Sequence, residues 1–203
     1  MGENPFWGWI PQWKPSPHDW PMLVSIAAWC LLAIYWDAAA KKAAPAEVSE
    51  SSASRRIHLA LVTAGQILLF LPIPGLRQRY LPVSMLCAAA GLALEAMGIL
   101  LAVWARQCLG RNWSGRISIK VEHKLVRSGP YRVLRHPIYT AFLSLYAGVA
   151  IVSGEVHALI GFALVLFAYL RKVRLEEATL LDAFGDAYRE YRKESWALLP
   201  WVG

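Results

Sequence analysis

Charge is scarce in this chain: 17% of its 203 residues are Asp, Glu, Lys or Arg, with 14 acidic residues against 21 basic ones. Hydrophobic residues make up 57%, ten of them tryptophan, and the mean hydropathy is +0.37. That balance excludes a single soluble domain. Cysteine is also sparse. Cys30, Cys87 and Cys108 have neither paired nor metal-ligand spacing, which leaves them as small apolar residues and predicts no metal site. No strand leads through a glycine-rich turn into a helix, so a soluble dinucleotide-type cofactor domain is excluded. No internal repeat is apparent, and the first apolar run lacks a basic region ahead of it, so it reads as a retained span and not a cleaved signal.

What the chain does have is long apolar runs. A bilayer needs about 20 apolar residues per helix, and candidates lie near Pro21 to Ala40, Ile57 to Gly75, Leu81 to Cys108, Ile138 to Ser153 and Val156 to Leu170. The fold class is therefore all-α, a polytopic membrane protein with about five transmembrane helices. Only Gly154 and Glu155 separate the last two, which predicts a tight helical hairpin. Phe6, Trp7, Trp9, Trp13 and Trp20 are interleaved with prolines, as in an interfacial segment, and the Ala-, Lys- and Ser-rich stretch from Lys41 to Ser54 reads as an exposed, mobile loop. Residues 1–108 thus form an interfacial segment with three membrane helices, and 109–203 a second, more polar region.

The basic residues give an orientation. Loop 41–56 has four, segment 106–135 eight and the tail from Arg171 six, 18 of the 21 in all. Lys14, Arg77 and Arg79 fall on the other face. Five spans and the positive-inside rule then place the N-terminus outside and the C-terminus in the cytoplasm. The net charge of +7 is explained by the bilayer, and with no basic groove or binding motif, nucleic acid is excluded as a partner. No obligate protein partner is evident.

Within the third run, Gly91, Glu95 and Gly98 share one helix face. An acid at that depth needs a partner, and glycines permit close helix approach, so Glu95 reads first as a structural hydrogen bond to a neighbouring helix and second as a cavity-lining group.

Between Gly129 and Tyr139 the chain reads Gly-Pro-Tyr-Arg-Val-Leu-Arg-His-Pro-Ile-Tyr. Pro137 suits the first turn of a helix, where its missing N–H costs nothing. The helix N-terminus, with Arg135 and His136 beside it, is suited to a carboxylate or phosphate. As a bare pattern it equally suits a positively charged membrane-edge turn.

Leu109-Gly-Arg-Asn-Trp-Ser114, Glu122-His-Lys-Leu-Val126, Gly129 to Tyr139, Arg174-Leu-Glu-Glu177 and Phe184-Gly-Asp-Ala-Tyr188, followed by Tyr191 and Pro200, form one ordered constellation. It resembles the integral-membrane methyltransferases of the isoprenylcysteine carboxyl methyltransferase and phospholipid methyltransferase type, over roughly Leu109 to Pro200. The resemblance implies an enzyme that binds S-adenosyl-L-methionine in a pocket closed by cytoplasmic C-terminal helices and open to the bilayer. By carry-over the cofactor-binding residues are His123, Lys124, Leu125, Val126, Tyr131, His136, Pro137, Ile138, Tyr139 and Glu176. Glu176 suits ribose hydroxyls or an ammonium, the backbone of Leu125 and Val126 suits adenine, and the helix end at Pro137 suits a carboxylate. By themselves, Glu176 and Glu177 read as a solvated face paired with Arg171 or Arg174. Tyr188, Tyr191, Trp196 and Trp201 read as a surface segment that caps the pocket and anchors the tail.

Methyl transfer from a sulfonium needs alignment and exclusion of water more than acid–base chemistry. A carboxylate acceptor needs a cation to hold it, from Arg135, Lys172, Arg171 or Arg174; an amine acceptor needs a base, from Glu177, His123 or Tyr131. Arg135, Lys172 and Glu177 are the catalytic candidates. In the family resembled, a substrate-binding arginine precedes the cofactor glutamate by four residues, and here that position is Lys172, which lacks the bidentate fork. The expected substrate is a lipid or lipid-modified molecule, foremost a prenylcysteine-type carboxylate, with a phospholipid amine as alternative. A nicotinamide-dependent sterol reductase, which resembles this C-terminal region too, and a non-catalytic membrane scaffold are the other readings.

The orientation has a direct check. A reporter cysteine at Ser51 should resist impermeant thiol reagents applied to intact cells, and labelling from outside would reverse the assignment.

Overall fold

The computed structural model describes residues 19–41, 47–48, 50–110, 113–114, 118–119 and 125–200. His123 and Lys124, Phe6 to Trp13 and Trp201 lie outside the described residues. The elements are α1 (Trp20–Ala40), β1 (Glu47–Val48), α2 (Ser52–Phe70), α3 (Met85–Leu109), β2 (Ser118–Ile119), a 3-10 turn (Gly129–Arg132), α4 (Pro137–Ser153), α5 (Val156–Phe184) and α6 (Asp186–Glu194). Among the described residues the regular structure is thus helical apart from the two-residue antiparallel pair β1–β2, which the all-α expectation omits.

Among the described residues three helices, α1, α3 and α5, are long and apolar enough to cross a membrane; α4 is apolar but shorter. The chain is an integral membrane protein, and the five expected runs all become helices, although α2 does not reach the same apolarity. Local chemistry moves several boundaries. The stretch expected to be loop up to Ser54 yields to α2 at Ser52, because Ser51 caps it by accepting the Ser54 N–H at 3.1 Å. At its far end α2 stops at Phe70, short of the expected Gly75. Leu71 precedes Pro72 and is extended, as a pre-proline residue prefers. Similarly, α3 begins at Met85 instead of Leu81, after Pro82, with Ser84 accepting the Cys87 N–H at 3.1 Å. No breaker follows Leu170, so α5 continues to Phe184; its 29 residues span about 43 Å against an apolar core of about 30 Å, and its polar half projects beyond.

The hairpin between α4 and α5 forms as the Gly154–Glu155 spacing predicts. Gly154 closes α4 in the left-handed region at φ +62° and also lies against Arg79, where a Cβ would sit 2.7 Å from Nη2. The connection 71–84 is stitched to this turn, with the Tyr80 N–H donating to the Gly154 carbonyl at 2.9 Å and the Val156 N–H to Gln78 at 2.9 Å.

Helix α4 packs chiefly on α3, and α5 on α2. Both seams are built from small residues. A Cβ on Gly148 would sit 2.6 Å from the Gly91 carbonyl oxygen, and one on Gly161 would sit 2.6 Å from that of Gly65, so the backbones touch. The face shared by Gly91, Glu95 and Gly98 is the α4-facing one. Glu95 is buried there, and its Oε1 accepts the Ser25 hydroxyl of α1 at 2.6 Å, the interhelical hydrogen bond expected of it. Between the seams lies a core of Leu69, Tyr146, Val149, Val165 and Tyr169.

Gly148→Ala should destabilise the bundle by about 1–3 kcal/mol, the usual range for overpacking, because the backbone of α3 must move. Unfolding of the detergent-solubilised protein against added SDS measures this; unchanged stability would mean that the seam has slack.

Candidate functional site

The basic ends of the helices meet at one end of the bundle. Arg106 of α3 donates to the Ala39 carbonyl of α1 at 2.6 Å, and Arg171 of α5 donates to the Ser54 hydroxyl of α2 at 3.0 Å. The Gly129–Arg132 turn and the start of α4 sit here as well. Gly129 has φ +58°, and a Cβ there would strike Cys108 Sγ at 2.5 Å, so the turn packs directly on α3. Tyr131 is thereby buried with Ala105 and Ile138, and half-buried Val126 joins them.

Helix α4 starts at Pro137, with His136 as its N-cap residue, as the proline predicts. Both side chains are buried. The His136 ring stacks on Tyr139 with centroids 5.5 Å apart and planes 4° off parallel. The Tyr139 hydroxyl donates to Glu176 Oε2 at 2.6 Å, and His136 Nδ1 lies 3.7 Å from the same oxygen. Lys172, one turn before Glu176 on α5, holds its Nζ 5.8 Å from the centre of the Tyr139 ring. Tyr169, a further turn back, continues the aromatic column at 5.3 Å from Tyr139, and His58 of α2 meets it edge-on at 5.4 Å.

The two glutamates have different surroundings. Glu177 receives Arg135 Nε at 2.6 Å and lies 3.7 Å from Arg192 Nε, so its charge is matched by guanidinium groups from two other segments and not by Arg171 or Arg174. Arg135 also donates to the carbonyls of Ser195 and, at 3.3 Å, Arg192. Glu176 has a phenol as its partner and keeps 28% of its side chain exposed. It can therefore accept further hydrogen bonds from a ligand.

Residues 195–198 close the cluster. The Arg135 N–H donates to the Trp196 carbonyl at 2.7 Å, the Trp196 N–H to Val133 at 2.9 Å, and the His136 N–H to Ala197 at 3.1 Å. The Thr140 hydroxyl adds a bond to the Leu198 carbonyl at 2.6 Å. On α6, the Tyr191 hydroxyl donates to the Tyr131 carbonyl at 2.6 Å, while Arg127 stacks over the Tyr191 ring at 5.1 Å. Burial, and next the charge of Glu176, pushes the Tyr131 phenol above the usual range; burial, and next Glu177, does the same for Tyr188. Both remain protonated at neutral pH. Two polar atoms in the cluster are buried without a hydrogen-bond partner in the protein: Tyr188 Oη and His136 Nε2, the latter 3.4 Å from Glu177 Oε1 but out of line for a hydrogen bond.

Of the sequence-assigned residues, Tyr131, His136, Pro137, Ile138, Tyr139, Glu176, Glu177, Arg135 and Lys172 come together, with Leu125 and Val126 half-buried at the edge. Sequence reasoning placed Trp196 in a segment that caps the pocket but missed the backbone bonds of the 195–198 strap, and it missed Thr140, Tyr169 and His58. The strap acts mainly through backbone groups, which leave no mark in side-chain patterns; Thr140 follows Tyr139 in the motif and was the one legible signal.

A family model for phospholipid methyltransferases matches residues 86–187, half of the chain. The probable protein-S-isoprenylcysteine O-methyltransferase of Oryza sativa subsp. indica is 32% identical over 115 residues, covering 55% of this chain and 60% of that one. Protein-S-isoprenylcysteine O-methyltransferase B of Arabidopsis thaliana is 31% identical over 132 residues, 64% of each chain. The match therefore spans somewhat under two thirds of these relatives. Among solved structures, the eukaryotic intramembrane Ras methyltransferase, isoprenylcysteine carboxyl methyltransferase, superposes with a TM-score of 0.51 at 21% identity, over 76% of this chain and 55% of that one, a likeness of fold. Helix bundle, motif order and family match agree: this chain belongs to the phospholipid methyltransferase family.

Proposed function

We propose that this chain is an S-adenosyl-L-methionine-dependent methyltransferase that methylates a lipid-linked carboxylate of the prenylcysteine kind at the cytoplasmic membrane face, with its N-terminus outside. The observation that carries this reading is the His136–Tyr139–Glu176 column at the start of α4, with Lys172 over the Tyr139 ring. It unites an acceptor, two aromatic faces and a cation at the membrane edge of an apolar bundle. The names of the relatives support the prenylcysteine acceptor and a methyl donor.

The residues fit such a cofactor. Tyr188 Oη and His136 Nε2 are buried polar atoms that a polar ligand would satisfy. Glu176 would take the cofactor's ammonium or ribose hydroxyls, the N-terminus of α4 its carboxylate, and the backbone at Leu125 and Val126 its adenine, with Tyr131 and Ile138 forming the apolar wall. His123 and Lys124 complete the assignment from outside the described residues. When bound, the cofactor supplies a methyl group already activated by its sulfonium. The chain's own task is to align the acceptor and exclude water. Lys172 would hold the acceptor carboxylate. Arg135 and Glu177 engage one another, which suits them to positioning: they hold the α4 entry, α5 and the 195–198 strap in register. Residues 109–203 are then the catalytic region, with α3 as one wall and residues 1–108 as membrane support.

An amine acceptor, which the family's name suggests, would need a base. Of the candidate bases, Tyr131 is held protonated and Glu177 is paired with Arg135, so neither serves readily, and His123 lies outside the described residues. Tyr131 and Glu177 therefore suit an acceptor that arrives ionised.

Glu176→Gln and His136→Ala should each weaken S-adenosyl-L-methionine binding by about 1–3 kcal/mol, the worth of a hydrogen bond to a charged or buried group. Calorimetric titration reads this directly. Unchanged affinity in both variants would remove the site, and NADPH binding by the parent protein would favour a reductase.

For the acceptor, a farnesylated cysteine analogue should be methylated and phosphatidylethanolamine should not. Methylation of the phospholipid alone would refute the carboxylate, and efficient turnover of a short acceptor without a tail would refute entry from the bilayer.

A further inference from the structure

At the end of the bundle opposite His136 and Glu176, α2 finishes with one backbone acceptor left over. In a continuing helix the Leu68 carbonyl would take the N–H of residue 72, but that residue is Pro72, which has none. His157, in the first turn of α5, fills the place: its Nδ1–H donates to the Leu68 carbonyl at 2.6 Å. Its other ring nitrogen, Nε2, lies 3.0 Å from Glu155 Oε2. The residue is 4% exposed, so neither contact can be exchanged for water without opening the bundle. A carbonyl oxygen only accepts hydrogen bonds, and so does an ionised carboxylate. Glu155 is ionised: burial opposes the charge, but the hydrogen bond and charge of Arg77 prevail and hold the carboxyl below its usual range, with Arg79 Nη1 at 3.6 Å as well. Both ring nitrogens of His157 therefore face acceptors. A neutral imidazole has one ring hydrogen and would set a lone pair against one of them.

We propose that His157 is a proton-operated clasp: as an imidazolium it joins the C-terminus of α2 to the α4–α5 turn, and loss of one ring proton releases one of the two bonds and loosens the α2–α5 seam at this end. A cation suits the place, because the C-terminus of a helix favours positive charge. The seam begins close by, since Gly161, one turn on from His157, is where the backbone of α5 touches Gly65 of α2. Around the ring stand Glu155 from the turn, Arg77 and Arg79 from connection 71–84, and Asp19 of α1 with Cys87 of α3, all lining one cavity with it. Tyr80 is turned to the Ala150 carbonyl, and α2 adds only the apolar Leu69 and Phe70 to that lining. Glu155 and Asp19 balance Arg77 and Arg79, so what holds the second proton is the pair of oxygen acceptors and not a surplus of negative charge. The stability contributed by the clasp is complete while the ring has both protons and is lost as the pH rises and one leaves. His157 lies roughly 28 Å from Glu176 along α5 at 1.5 Å per residue, and the clasp stands whether or not the methyl-transfer assignment does.

Two measurements on the detergent-solubilised full chain test this. In nitrogen NMR with isotope-labelled histidine, the His157 signals, identified by their loss in His157→Phe, should show hydrogen on both ring nitrogens in the folded protein. Raising the pH should remove one hydrogen, and the amide signals of Gly65 and Gly161 should shift in the same transition. A ring with a single hydrogen while those two amides stay unchanged overturns the proposal. In unfolding against added SDS, the midpoint of the parent protein should fall as the pH is raised through that transition, and His157→Phe should lose this fall. A simple packing role for the ring would lower the midpoint of the variant equally at every pH and leave the fall in place, which also overturns the proposal. Should His157→Phe fail to fold, selective labelling and the NMR titration of the unaltered protein decide the matter, because the coupling between ring hydrogen and seam amides is read there directly.

Discussion

The ion pair between Arg135 and Glu177 is the contact on which the basic end of this bundle depends. Its 2.6 Å Nε–Oε1 bond links the segment entering α4 to the polar half of α5, and the same guanidinium binds the carbonyls of Arg192 in α6 and Ser195 just beyond it. Three segments distant in sequence therefore share one charge. Breaking a buried pair strands its partner's charge, at a typical cost of about 3–5 kcal/mol. Removing either member would release the strap and the α4 N-terminus together, which makes the pair a fastening for its neighbours more than a reactive group.

That fastening works because the membrane portion is rigid. Where glycine meets glycine across α3–α4 and α2–α5, the backbones approach to contact, and side-chain adjustment cannot absorb a shift. The helix ends are accordingly fixed, and His136, Tyr139 and Glu176 inherit that precision. Glu95 belongs to the same logic: its bond to Ser25 draws α1 onto the α3–α4 pair.

The two ends of the bundle use charge differently. At one, carboxylates and cations are interleaved so that Glu177 is neutralised while Glu176 keeps capacity for a ligand. At the other, one carboxylate, Glu155, is shared by Arg77, Arg79 and His157 at the α4–α5 turn.

Much of this was legible in the residues themselves. Apolar run length specified the helices, since a span needs about 20 apolar residues whatever its neighbours are. Pro137 marked the start of α4 and Gly154 its end, because both act through their own backbone chemistry. The spacing of Gly91, Glu95 and Gly98 marked one face for the same reason: helical periodicity is local. Tertiary structure alone decided the rest. The difference between Glu176 and Glu177, adjacent and identical in type, arises from which helix face meets Arg135 and which meets Tyr139. The strap at 195–198 and the shared carboxylate at Glu155 are likewise contacts across 58 to 78 residues, made through backbone carbonyls and a single side chain. Their energy depends on three-dimensional approach, and residue order alone does not encode that distance.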